Sequence, residues 1–201
     1  MFDFADAPVM VRTDLERAFD AEWRHLAGPG GSMSGEQRVG IAVAARSSGA
    51  DSALAKFARH LYDDPASVDE SAVRAAANTV GDPMTVETIG LVSRLSAVDR
   101  FHTVLGMPKP PLPRPDPGSA TGEIQTGLKR RSGHVPMPPG AIPFSLDLVP
   151  AEGWALMEIH GPLYMTGEEM GNPQFNRSPG LHRPQMELVA ARTSLINECF
   201  Y

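Results

Sequence analysis

Only one cysteine, Cys199, stands in the 201 residues. A lone thiol cannot close an internal disulfide, which excludes a cross-linked secreted scaffold and makes a reducing cytoplasm the expected compartment. Long apolar runs are missing too: none approaches the roughly 18 residues a membrane span needs. The opening Met1-Phe2-Asp3-Phe4-Ala5-Asp6 is acidic where a secretion signal is basic. Positive charge is in deficit, with 18 Lys and Arg against 24 Asp and Glu and a net charge of -6. That balance argues against nucleic acid or an anionic membrane as main partner, and the basic cluster Lys129-Arg130-Arg131 is too short to reverse it. No metal spacing such as H-E-x-x-H or C-x-x-C is complete, so His160 and His182 acquire no ligand set with Glu158 or Cys199. Gly28-Pro29-Gly30-Gly31 follows no strand and reads as a helix stop, not a phosphate loop.

Helix signals are abundant. Apolar residues make up 42% and charged residues 21% of the chain, close to a globular average. Thr13-Asp14-Leu15-Glu16 has capping-box form, with Leu15, Phe19, Trp23 and Leu26 following at helical spacing. Ser34-Gly35-Glu36-Gln37 opens a second helix that should end near Ser48-Gly49. Asp51 or Ser52 caps a third, carrying Leu54, Phe57 and Leu61. Ser67-Val68-Asp69-Glu70 precedes an alanine-rich helix ending by Gly81, and a long helix runs from Asp82-Pro83 towards Leu105. A helix around Gly153 to His160 and a last one from Gln185 to about Asn197 complete the set. No stretch alternates with period two between turns. The expected class is all-α.

The nineteen prolines are unevenly spread, and ten of them fall between Met107 and Pro143. This density forbids helix interiors and favours extended backbone. Beyond about Ala141 the apolar Ile142, Phe144, Leu146, Leu148 and Val149 predict a segment that wraps over the helical body; the stretch before it reads as a linker.

Two segments echo each other. Val43-Ala44-Ala45-Arg46-Ser47-Ser48 recurs 146 positions later as Val189-Ala190-Ala191-Arg192-Thr193-Ser194. From Met186 to Tyr201 the chain resembles the start of the active-site motif of alkylhydroperoxidase-D-like proteins, in the carboxymuconolactone decarboxylase superfamily. That motif has a Glu early on a helix, then Ser and Asn, then Cys-x-x-Cys-x-x-x-His opening the next helix. Glu187 lies twelve residues before Cys199, the family spacing, and Ser194, Asn197 and Tyr201 also fit. In the earlier copy His60 matches the family His, whereas Ile41, Ala53 and Lys56 replace the Glu and both cysteines. Thr88 to Gly106 resembles the long closing helix of such domains.

The resemblance implies an alkylhydroperoxidase-D-like helical bundle with a long Pro-rich irregular segment between two helical parts. Residues 1–106 would be a degenerate domain, 107–150 a linking or wrapping segment, and 151–201 the start of a second domain that stops short of its second cysteine. It implies peroxidase-like chemistry on a small-molecule hydroperoxide. Cys199 would be the first, resolving cysteine of the pair, and Glu187 the relay carboxylate. A thiolate at a helix N-terminus attacks the peroxide, becomes a sulfenic acid and is resolved by its neighbour. A thiol reductant protein and a homo-oligomer are implied as partners, with the Pro-rich segment as an interface arm; no cofactor and no metal is called for. The alternatives are a non-redox superfamily member, either a decarboxylase-like enzyme on a small cyclic acid or a catalytically silent oligomeric protein, and an unrelated helical binding domain. The motif also leads to the expectation that the natural chain continues past Tyr201. Intact mass of the natural protein should then exceed 21.6 kDa, and a mass equal to that figure would contradict it.

Overall fold

A computed structural model describes residues 2–49, 51–131, 133–139, 144–177 and 180–196. Among these residues lie eight α-helices: α1 Thr13–Ala27, α2 Gly35–Arg46, α3 Ala53–Asp63, α4 Glu70–Val80, α5 Asp82–Val104, α6 Pro150–Leu163, α7 Gly167–Gly171 and α8 Arg183–Ile196. The only described strands are two-residue pieces, β1 Lys129–Arg130 and β2 Pro136–Met137, paired antiparallel. The chain is thus mostly helical, and no described helix is long and apolar enough to cross a membrane. It divides into two units, Met1–Ile159 and His160–Tyr201.

In the first unit, side-chain caps fix where three of the helices begin. The Ser34 hydroxyl accepts from the Gln37 N–H while the Gln37 side chain accepts from the Ser34 N–H, closing the expected box at α2. Ser52 caps α3 and Asp69 caps α4 in the same way. Thr13 does not cap. It already lies inside α1, whose N-cap Arg12 offers no side-chain acceptor, and Asp14 and Glu16 answer the helix dipole instead. α2 stops at Arg46, two to three residues earlier than its composition suggests.

Helix α5 is the central post. It is buried on nearly every side, from Thr85 through Leu91, Leu95 and Val98 to His102. One core cluster joins Leu91, Val92 and Leu95 to Leu26, Ile41 and Tyr62. A second sets Val86 among Phe57, Val73, Leu146, Leu148 and Val149. A third packs Val98 with Phe4, Leu15, Phe19 and Ile159. Leu146, Leu148 and Val149 are thus buried as expected, but Phe144 stays about half exposed at 49%. Ile142 lies outside the described residues.

The proline-rich stretch before Ala141 also wraps the first unit, following the wrapping alternative for residues 107–150 in place of the linking one. Its backbone N–H groups at Asp116, Thr121 and Gly122 donate to the carbonyls of Ala27, Gly30 and Gly31. Its own carbonyls are used as well: the Trp23 indole donates to Pro111 O at 2.8 Å and Arg46 to Pro110 O at 2.8 Å. Arg46 also grips Asp99 with both prongs, and Tyr62 donates to the same carboxylate. Proline lacks an N–H but keeps a good acceptor, so a proline-rich chain can be bound through its carbonyls.

Two glycines of α2 should respond oppositely to alanine. Gly40 faces open space, whereas a Cβ at Gly35 would run into the carbonyl oxygens of Ala27 and Asp116. Gly40→Ala should stabilise by up to about 1 kcal/mol through helix propensity. Gly35→Ala should destabilise and expose residues 107–128 to proteases. Urea unfolding with limited proteolysis distinguishes the two, and equal stabilisation by both would contradict the wrapped geometry.

Candidate functional site

The second unit contains Glu187, on the first half of α8. Its carboxylate accepts from the Tyr164 hydroxyl at 2.8 Å and from Arg183 Nε at 2.7 Å, one helical turn earlier. Arg183 is itself fixed, donating to the carbonyls of Glu169, Met170 and Asn172. Arg177 binds the carbonyls of Gly161 and Tyr164 together with the Glu169 carboxylate. Two arginines thus gather the loops that carry Tyr164 to Glu187. The hydrogen bonds from Tyr164 and Arg183 hold the Glu187 carboxyl below its ordinary range. Burial, and then the bond to Glu187, push the Tyr164 hydroxyl up. At neutral pH the pair is therefore an ionised acceptor beside a protonated donor. Cys199 and Asn197 lie outside the described residues. In the first unit His60 bonds Ser67 Oγ at 2.6 Å, and Ala53 and Lys56 are exposed.

The first unit holds a second group of ionisable side chains that the sequence reading missed. Glu22 and His25 come from α1, Arg38 from α2, Glu87 and Arg94 from α5, and Glu152 from α6. Glu152 is the hub. Its Oε1 lies 3.0 Å from His25 Nε2 and 2.7 Å from Arg38 Nη1, and its Oε2 lies 2.6 Å from Arg94 Nη2. Arg38 Nη1 also reaches Glu87 Oε1 at 2.5 Å, and Arg94 Nε reaches Glu22 at 2.8 Å. Ser32 donates to the other Glu87 oxygen through both its N–H and its hydroxyl. The Arg38, Glu87 and Glu152 side chains are 0% exposed. Room for them comes from Gly30 and Gly90, where a Cβ would strike Glu87 and Glu152 respectively. The missed signal was register: Glu22 sits on the α1 stripe between buried Phe19 and Leu26.

Three carboxylates face two guanidinium groups, and the imbalance divides between them. Burial alone would raise the Glu152 carboxyl, but Arg94, the His25 hydrogen bond and Arg38 outweigh it and hold the group far below its usual range. Glu22, with one arginine partner, goes the other way: burial raises it despite Arg94. Among the described residues no group of three or more His, Cys, Asp and Glu side chains is placed to hold a metal ion.

The sign of the pH dependence follows. Glu152, depressed in the folded state, stabilises fully above the unfolded value of about 4.3 and loses that contribution as pH falls below it. Glu22, raised, opposes folding as pH climbs through its folded value. Glu152→Gln should destabilise by about 3–5 kcal/mol near neutrality, since it leaves two buried guanidinium groups undercompensated. It should also flatten the acid limb of stability against pH. Chemical unfolding between acid and neutral pH checks both, and a loss below about 1 kcal/mol with an unchanged acid limb would contradict them.

Comparisons with protein-family models, curated proteins and solved structures find no match to this chain.

Proposed function

We propose that the chain is an oxidoreductase of the alkylhydroperoxidase-like kind, in which Glu187 is the relay carboxylate and Cys199 one of the reacting thiols. The observation that carries this reading is the ionised Glu187 carboxylate, pinned between the Tyr164 hydroxyl and Arg183 twelve residues ahead of the only cysteine. The tandem arrangement is supported by the echoed segments. Val43 to Arg46 end α2 and Val189 to Ser194 lie in α8, while α3 opens at Ala53, the position matched to Cys199.

On this reading Glu187 takes the thiol proton, directly or through Tyr164 or a water. The thiolate attacks one peroxide oxygen, forming the S–O bond as the O–O bond breaks. The returned proton turns the leaving oxygen into an alcohol. The sulfenic acid then condenses with a second thiol, releasing water and leaving a disulfide that a further thiol reduces. A second cysteine is not among the 201 residues. Within the 201 residues Cys199 therefore takes the attacking role in place of the resolving one that the resemblance implies, and a thiol reductant, protein or small molecule, supplies the second thiol. A reducing cytoplasm suits such a thiol. Homo-oligomer formation belongs to the same proposal. Leu188, Val189, Leu195 and Ile196 leave an exposed apolar stripe along α8 of the kind that association covers.

The test is consumption of cumene hydroperoxide in the presence of dithiothreitol, with dimedone trapping of the sulfenic acid read by mass spectrometry. Wild-type protein should turn over peroxide and carry the adduct at Cys199. Cys199→Ser should abolish both, and Glu187→Gln should slow turnover by about 100-fold. Peroxide loss equal to that of Cys199→Ser, without an adduct, would overturn the proposal in favour of a non-redox protein.

A further inference from the structure

A cavity of about 550 Å³ opens on the first unit between the wrapping segment and the first turns of α6. Glu123, Phe144, Asp147, Trp154 and Met157 are among its walls, and among the described residues no lysine, arginine or histidine lines it. Its size falls within the range of small-molecule sites. Trp154 is 74% exposed there, the larger of two aromatic side chains left facing solvent around one opening.

Asp147 is the group that singles this cavity out. Its backbone N–H is used, donating to the Phe144 carbonyl. Its carboxylate is half-buried against Gly153, where a Cβ would collide with Oδ1. None of the described residues donates a hydrogen bond to that carboxylate or pairs with it, in contrast to Glu152, Asp99 and Glu187. Burial raises its carboxyl with nothing to offset the effect. Glu123 adds a second negative group on the same rim. An uncompensated carboxylate beside an exposed indole and a phenyl ring is the complement of a cation with apolar substituents. Carboxylate and ring faces both attract such a charge, and the rings also cover its alkyl groups.

We propose that this cavity binds a small organic ammonium ion, its charge set against Asp147 and Glu123 and its alkyl groups against Trp154 and Phe144. The site lies within the first unit and does not depend on the peroxidase reading.

Isothermal titration with choline and with 3,3-dimethylbutan-1-ol, its uncharged carbon isostere, tests the proposal. Choline should bind saturably in the millimolar range, and the isostere at least about tenfold more weakly. Asp147→Asn and Trp154→Ala should each weaken choline by about tenfold or more. Both replace partly exposed side chains, and an unchanged thermal midpoint establishes that the fold survives. Absence of saturable choline binding, equal binding of the isostere, or indifference to Asp147→Asn would overturn it. So would conversion of an oligomer to monomer by Trp154→Ala in sedimentation velocity, which would assign the face to a second copy.

Discussion

A carboxylate held between two guanidinium groups in a dry interior is the interaction on which the first unit depends. Glu152 joins α6 to α2 through Arg38 and to α5 through Arg94, and His25 and Glu22 tie α1 into the same cluster. Apolar contacts are forgiving about register, because one methyl can replace another. Charges in a low-dielectric interior are not, since each unpaired one is strongly destabilising. Four helices are therefore bound to one relative placement by groups that tolerate little displacement. Burial outweighs the single arginine partner of Glu22 and makes it resist ionisation, whereas Arg94, His25 and Arg38 together overcome burial and drive Glu152 far into its ionised form.

A second ionic arrangement does a related job on another face of α5. Asp99 receives Arg46 and Tyr62, and Arg46 continues to Pro110 O while Trp23 holds Pro111 O. The wrapping segment is thereby attached to α1 and α2 by donors that meet its carbonyls, with Arg46 held in turn by Asp99 of α5. Both arrangements place charged residues among the buried side chains of α5.

Local signals made the helices legible. Ser34 and Ser52 cap where their side-chain oxygens predict, because a cap is satisfied within three residues, whereas α4 is capped by Asp69, two residues past the Ser67 that heads its signature. The attachment of residues 107–128 was illegible, because its partners lie far away in sequence and proline's acceptor leaves no local pattern. The buried cluster was half-legible. Glu22 on an apolar stripe is a visible anomaly, but Glu152 lies on a helix whose residues are apolar nearly all round. For the candidate site, the Glu187 position followed from its spacing to Cys199, whereas Arg183, one turn before it, was not singled out from the sequence. Tyr164 could not be anticipated, since a loop built around Arg177 and Arg183 brings it there.

The dependence of four helices on one ionic hub is tested most directly by a double-mutant cycle between Glu152→Gln and Arg94→Met, measured by chemical unfolding at neutral pH. If the two side chains act as one buried unit, the double variant should differ from the sum of the singles by more than about 1 kcal/mol. Additivity within about 0.5 kcal/mol would mean that the helices are placed by their apolar contacts alone.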